Sequence, residues 1–185
     1  MVAGTDTSRV SVEVGAKVET PMWVHEREID PNGHMDPKTY GVTANLHIND
    51  DKKDRFHIVD SVSLMRGRAK SYSGLYSYEE TAVSQQVGFQ GPLTQIGPNP
   101  ISISAEIGVE GKVSTSTDHS KDDLSLYTTY NFGLTWYGGR NVYDSPERTF
   151  LKVEFGGSLE PWSLSKDDMV EFEPTIALSG GFYFK

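Results

Sequence analysis

The chain has 185 residues, which suits a single domain, and we take residues 1–185 as one unit. Acidic residues outnumber basic ones by 26 to 17, and the net charge of −9 argues against the basic surface typical of nucleic-acid-binding proteins. No segment approaches the roughly 18 apolar residues of a membrane-spanning helix. Aromatic residues make up 11% of the chain and glycine is abundant, so the composition indicates an ordered domain, either soluble or a membrane β-barrel.

The chain contains no cysteine, which excludes disulfides, thiolate metal sites and cysteine nucleophiles. Its first residues lack the basic and apolar segments of a signal peptide. The sequence therefore fits a cytosolic protein or a mature form that carries a start methionine.

Alternation of apolar and polar residues recurs along the chain and predicts β-strands. Two of these strands, the third and fourth, alternate weakly, and Gln85 interrupts the apolar face of the fourth. In chain order the predicted strands are Val10–Glu19, Tyr40–Ile48, Ile58–Gly67, Val83–Gln90, Ile101–Val113, Leu124–Trp136, Leu151–Leu159 and Val170–Phe184. The segment Ala69–Thr81 either extends the weak strands or forms its own hairpin, so eight strands are expected and ten are the alternative.

Polar, turn-rich segments separate the strands. They are Pro21–Lys38, Asn49–Arg55, Ala69–Thr81, Gly91–Pro100, Ser114–Asp123, Tyr137–Thr149 and Pro161–Met169. An even number of antiparallel strands with this spacing predicts an all-β fold, an antiparallel up-and-down barrel whose closure removes exposed strand edges.

The residues of the two strand faces favour a membrane barrel, with a soluble lipocalin-like ligand-binding barrel as the alternative. The polar faces alternate charged residues with glycine and serine, which suits a narrow interior, and the longest strands exceed the usual ~5–6 residues. Side chains expected to face lipid are Val12, Val14, Tyr130, Phe132, Val153, Phe155, Ile176 and Leu178. Tyr130, Phe132 and Trp136 are expected to share one membrane edge with Phe182 and Phe184, as an aromatic girdle.

The closing segment, residues 176–184, resembles the C-terminal strand of bacterial outer-membrane β-barrels, which ends in alternating aromatic residues; here Lys185 follows the last of them. Length and strand number are similar to those of the small eight-stranded proteins, the OmpX/Ail group and the OmpA membrane domain. The resemblance implies a bacterial outer-membrane location, contact with lipopolysaccharide and outer-membrane lipid, and recognition of the last strand by the barrel-assembly machinery. It also implies periplasmic termini, so that Pro21–Lys38, Ala69–Thr81, Ser114–Asp123 and Pro161–Met169 form extracellular loops.

Two loops carry residues that could take part in chemistry. His25–Asp36 offers oxygen and nitrogen ligands but lacks the spacing of a calcium loop, so no metal or cofactor is predicted. His119 and Ser120 lie near Ser116, Asp118 and Asp122, but adjacent residues of a strand point to opposite faces, so a lipid A hydrolase ranks behind the other functions.

The inward charged residues form the third candidate site, a structural ion-pair network that fills the lumen. Its members are Glu13, Lys17, Glu106, Glu110, Lys112, Lys152, Glu154, Glu171 and Glu173, and Arg66 and Arg68 are further candidates. Because acids outnumber bases, this network also fits a narrow, cation-preferring pathway. The sequence therefore predicts a non-enzymatic barrel that acts through its surface loops, in adhesion or surface interaction, or as a narrow pore.

Overall fold

The computed structural model describes residues 10–21, 38–48, 56–70, 77–97, 99–116, 122–138, 147–159 and 172–184. These segments contain eight β-strands. The strands are β1 (Val10–Pro21), β2 (Thr39–Ile48), β3 (His57–Lys70), β4 (Ser77–Ile96), β5 (Asn99–Ser116), β6 (Asp122–Gly138), β7 (Glu147–Leu159) and β8 (Phe172–Phe184). Within the described ranges, no helix is long and apolar enough to cross a membrane.

Each strand pairs antiparallel with the next, and β8 pairs with β1, so the sheet closes into a barrel. The pairing does not return to its starting residue after one circuit. Successive cross-strand partners lead from Val10 on β1 to Thr20 on the same strand, ten residues further along. The partners between them are Ile48, Ile58, Phe89, Ala105, Phe132, Phe155 and Ile176. This stagger of ten residues requires strands tilted by about 35–45° to the barrel axis. We call the end of the barrel at Val10 and Phe184 the terminal end, and the opposite end the loop end.

The prediction of eight strands is confirmed, and the ten-stranded alternative is wrong. The uncertain segment between the third and fourth strands extends both of them. Ala69 and Lys70 belong to β3, and β4 already begins at Ser77. Lys70 pairs with Ser77, so the two strands continue as a ladder up to the connecting loop.

The turn predicted over Gly91–Pro100 is much shorter in the structure. Strand β4 continues to Ile96, which pairs with Asn99 at the start of β5, so only two residues separate the strands. Gly97 begins this connection with a positive φ of 59°, a backbone conformation that glycine adopts without a steric penalty. A register shift between Pro92 and Thr94 accommodates the proline within the ladder.

The barrel is apolar outside and polar inside. Among the side chains predicted to face lipid, Val14, Phe132, Phe155 and Leu178 are exposed, and Val12, Tyr130, Val153 and Ile176 are half-buried on the same outer face. Glu13, Glu106 and Glu154 are buried inside, as predicted. The alternative of a soluble barrel with an apolar interior is therefore wrong.

The predicted aromatic girdle is correct only in part. Trp136 pairs with Leu151, which pairs with Gly180, so Trp136 lies close to Phe182 at the terminal end. Tyr130 lies six residues away on the same strand, about 20 Å at the rise of an extended chain, and cannot share that edge. Tyr130 and Phe132 instead belong to the outer surface further towards the loop end.

Candidate functional site

A chain of ion pairs crosses the middle of the lumen, centred on Lys152 of β7. Lys152 Nζ lies 2.6 Å from Glu106 Oε1 on β5 and 2.9 Å from Glu154 Oε1 on its own strand. The other oxygen of Glu106, Oε2, accepts a hydrogen bond of 2.6 Å from the Ser61 hydroxyl on β3. All three charged groups are almost completely buried, so each carboxylate and the ammonium group depend on these partners for their stability.

The series of ion pairs continues to β1 through Glu154. Its second oxygen, Oε2, lies 3.2 Å from Lys17 Nζ, and Lys17 also lies 3.5 Å from Glu19 Oε2. The charged groups therefore connect β1, β5 and β7, and the Ser61 hydroxyl extends the connection to β3.

These contacts join alternate strands rather than adjacent ones, because the stagger of neighbouring strands brings inward side chains of every second strand to similar depths. Gly133 on the intervening strand β6 makes one of these contacts possible. A Cβ atom at Gly133 would lie 2.7 Å from Lys152 Cε and 2.5 Å from Ser104 Oγ. The glycine thus leaves the space through which the lysine reaches Glu106.

A second buried cluster closes the lumen nearer the terminal end, around Glu13. Its Oε2 accepts a hydrogen bond of 2.8 Å from Asn45 Nδ2, and its Oε1 accepts one of 2.5 Å from the Tyr137 hydroxyl. His47 Nε2 lies 3.2 Å from Glu13 Oε1. The opposite ring nitrogen, His47 Nδ1, lies 2.9 Å from His57 Nε2.

Aromatic rings complete this closure. Tyr137 and Tyr183 pack edge to face with ring centroids 5.7 Å apart, and both belong to a buried cluster with Phe150. The side-chain amide of Gln90 donates to the Tyr137 hydroxyl. Side chains from seven strands, all except β5, therefore contribute to this cluster.

Neutral polar side chains bridge the lumen between β4 and β6. Asn131 Nδ2 donates to Gln86 Oε1 at 2.7 Å, and Gln86 Nε2 donates to Thr129 Oγ1 at 2.8 Å. Neighbouring strands are linked by a hydrogen bond of 2.7 Å between the hydroxyls of Ser63 and Ser84.

The lumen contains a small cavity. A polar cavity of about 10 Å³, large enough for roughly one water molecule, lies against both the ion-pair chain and the neutral bridges. Lys17, Lys152 and Glu154 contribute to its wall, together with Asn45 and Gln86.

Five members of the predicted lumen network meet in these two clusters, and Glu110 and Lys112 form a separate pair. Glu13 contacts none of the lysines on the described strands and pairs instead with neutral groups and His47. Lys112 lies 3.4 Å from Glu110 in a partly exposed pair, and its ammonium group stands 4.7 Å above the Tyr127 ring centroid. Glu171 lies outside the described residues, as does the side chain of Glu173.

The suggestion that Arg66 and Arg68 join the lumen network is wrong. Both point outward, because they share the parity of the outer-face residues of β3, and their side chains are more than half exposed. Arg66 Nη2 lies 2.6 Å from Glu79 Oε2, and Arg68 pairs with the other oxygen of the same carboxylate. Together they form a basic outer rim towards the loop end.

The other two loop segments weighed in the sequence analysis, His25–Asp36 and the residues 118–120 that include His119 and Ser120, lie outside the described residues. Ser116 ends β5 and Asp122 begins β6, but their side chains are not described. Within the part of the chain that the structure describes, no cluster of three or more metal-binding side chains occurs.

Sequence reasoning missed the neutral half of the interior. Five side chains of this kind are buried as deeply as the charged residues: Asn45, His47, Gln86, Gln90 and Tyr137. These side chains lie on the polar face of their strands, and this position alone predicts that they face the lumen. The predicted network included only the charged residues of that face.

No family model matches the chain, and no curated protein matches its sequence. Solved structures match in fold. The attachment invasion locus protein Ail of Yersinia pestis is 11% identical over 96% of this chain and 97% of its own, with a TM-score of 0.51. The N-terminal β-barrel domain of Pseudomonas aeruginosa OprF is 14% identical over 96% and 99%, with a TM-score of 0.52. Neisserial surface protein A is 10% identical over 95% of each chain, also with a TM-score of 0.52.

This is the fold of the outer-membrane β-barrels. The predicted fold class is thereby confirmed, and the predicted outer-membrane location agrees with this fold and with the apolar exterior. At such low sequence identity, these matches assign the fold of the barrel and not its activity.

Proposed function

We propose that this outer-membrane barrel has an occluded lumen and acts at the cell surface, through its loops and outer face, rather than as an open pore. The observation that carries the proposal is the interlocked interior. Two buried clusters cross the lumen, and the cavity beside them has a volume of about 10 Å³. An eight-stranded barrel has an interior just wide enough for its side chains, so little room remains for hydrated ions.

Planar-bilayer recording tests the occluded lumen. We expect conductance steps that are small or absent, and any current should prefer cations because acids outnumber bases in the interior. Replacing Lys152, Glu106 and Glu154 together by alanine should increase the current, since it removes the side chains that cross the middle of the lumen. The matched control is Arg66→Ala with Arg68→Ala, which removes charge only from the outer face and should leave the current unchanged.

Large ohmic steps without ion preference in the wild-type protein would contradict the occluded lumen and indicate an open, unselective pore. Such steps would not support the narrow, cation-preferring pore predicted from the sequence, which requires a selective current.

A second proposal concerns the lipid around the barrel. Arg66 and Arg68 stand on the outer face beyond the apolar surface, towards the end at which extracellular loops are expected. Two arginines share one Glu79, so the cluster retains a net positive charge. Guanidinium groups bind phosphate with paired hydrogen bonds, and this supports contact with the phosphates of lipopolysaccharide.

Binding of lipopolysaccharide to the detergent-solubilised barrel tests this contact. Arg66→Gln combined with Arg68→Gln should weaken binding, and the effect should shrink at high salt because exposed charges are screened. Lys112→Gln removes a charge from the inner face at the same end and serves as the control. Equal binding by all three proteins would refute the contact.

A further inference from the structure

Asp60 and Gln85 form a hydrogen-bonded pair on the apolar outer face of the barrel. The side-chain amide of Gln85 on β4 donates from Nε2 to Oδ1 of Asp60 on β3, at 3.3 Å. Both residues have the parity of the outward-facing positions, and Gln85 is exposed. Neither side chain therefore belongs to the polar interior.

The surroundings of this pair are apolar. Ile58 and Val62 flank Asp60 on β3, and Val83 and Val87 flank Gln85 on β4; all four side chains are exposed. In a membrane these side chains contact lipid tails, which offer no hydrogen-bond partner. Ionisable groups at such positions are rare and mark functional contacts.

The pair leaves hydrogen-bonding capacity that lipid cannot satisfy. A glutamine amide carries two N–H donors and a carboxyl group two oxygens, and the bond between Gln85 and Asp60 uses one of each. The second Gln85 N–H and Asp60 Oδ2 are therefore available to an outside partner. That partner must present an acceptor and a donor at the same depth in the membrane.

We propose that a second copy of this chain is that partner, in a lateral homodimer that packs β3 and β4 of one barrel against β3 and β4 of the other. Two barrels inserted in the same direction can be related by a two-fold axis along the membrane normal. Such an axis leaves each residue at the same depth in the membrane and turns the two β3–β4 surfaces to face each other. Asp60 of each copy then lies opposite Gln85 of the other.

The polar groups are then complementary. The second amide N–H of each Gln85 donates to the Asp60 carboxyl of the other copy, and four side chains form one closed hydrogen-bonded ring. The contact is isologous, so the assembly ends at two copies. The inference rests on membrane insertion, which the proposed function also requires, but not on the surface role.

Cross-linking of single-cysteine variants in lipid vesicles tests the dimer, and the chain has no native cysteine to interfere. Val62→Cys places a thiol beside the pair, because Val62 is the cross-strand partner of Gln85. The control, Leu178→Cys, places a thiol on the opposite side of the barrel at a residue of similar exposure, 50% against 45% for Val62. A short bismaleimide should cross-link Val62→Cys and leave Leu178→Cys monomeric.

Removing the polar pair should then weaken the dimer. Adding Asp60→Val and Gln85→Leu to Val62→Cys should raise the dimer dissociation constant roughly tenfold, which corresponds to about 1.4 kcal/mol for two hydrogen bonds in lipid. Asp60→Asn retains an acceptor and should keep most of the dimer. Gln85→Leu alone removes the amide donor and leaves Asp60 in place, and so provides a second test of the dimer contact.

Insertion of every variant is checked independently by the gel shift between unboiled and boiled samples. An inserted barrel that cross-links equally at Val62→Cys and Leu178→Cys would overturn the dimer, as would a dimer unaffected by loss of both polar groups. Monomers at every protein-to-lipid ratio would also overturn it. A chain that fails to insert would instead refute the membrane assignment on which the proposed function depends.

Discussion

At the scale of single residues, the interior depends on charges that are costly to separate. Lys152 Nζ lies within 3 Å of two carboxylates that have little or no contact with solvent. Removing a buried ion pair as a whole is often tolerated, whereas removing one partner leaves a buried charge uncompensated. Substitution should therefore destabilise the barrel most at charged residues with several partners, and Lys152 and Glu154 are the clearest cases.

Lys152→Met should lower the free energy of unfolding by about 3–5 kcal/mol, because within the described strands Glu106 loses its cationic partner and Glu154 keeps Lys17 alone. Reversible urea unfolding of the barrel in lipid vesicles measures the change. Adding Glu106→Gln should recover part of the loss, since it removes the uncompensated charge.

The control for this change is Lys112→Met, at the partly exposed pair with Glu110. It should cost no more than about 1 kcal/mol, as expected for an ion pair near solvent. Similar losses of unfolding free energy at Lys112 and Lys152 would show that the central ion pairs stabilise the barrel no more than a pair near solvent does.

At the scale of strands, alternation assigns each residue to lipid or lumen. Val153 lies on the outer face of β7 between Lys152 and Glu154, two of the most deeply buried charged residues. A shift of register by one residue would expose both charges to lipid and bury the valine. The sequence of β7 therefore permits one orientation only.

Val153→Arg should destabilise the barrel by about 2–4 kcal/mol if the residue lies near the middle of the bilayer. The same substitution at Thr149, an exposed residue of β7 closer to the terminal end, should cost at most about 1 kcal/mol. Reversible unfolding in lipid vesicles measures the free energy of unfolding of both variants. Equal costs, or no cost at Val153, would contradict the assignment of this face to lipid.

At the scale of the whole molecule, closure between β1 and β8 determines the architecture. Their ladder runs from Val12 opposite Phe184 to Pro21 opposite Thr175, so the first and last strands pair along almost their full length. Every strand then has two neighbours, and no edge is left to pair with another chain.

The closed barrel should resist SDS at room temperature and migrate faster before boiling than after it, because the folded ladder remains compact. Comparison of unboiled and boiled samples by gel electrophoresis measures this shift. The protein should also require detergent to remain monomeric. A chain that stays monomeric in plain buffer and shows no shift would be incompatible with a membrane barrel.

The sequence by itself predicted eight strands, with ten as the alternative, their antiparallel order and the division of most strands into an apolar and a polar face. These properties follow from the period-two pattern, in which a single residue such as Glu13 or Val14 already reveals its side of the sheet. The resemblance of the last strand, with Phe182 and Phe184 pointing outward, indicated the class of barrel. Gln85 was visible as an interruption of an apolar face, although its partner was not.

Only the tertiary structure decided which side chains meet across the lumen. The stagger of ten residues per circuit sets the depth of every strand relative to the others, and no local pattern in the sequence encodes it. This stagger brings Lys152 to Glu106 and places Tyr137 against Glu13. It also places Gln85 within reach of Asp60, because contacts between strands depend on how the barrel closes rather than on the alternation along any one of them.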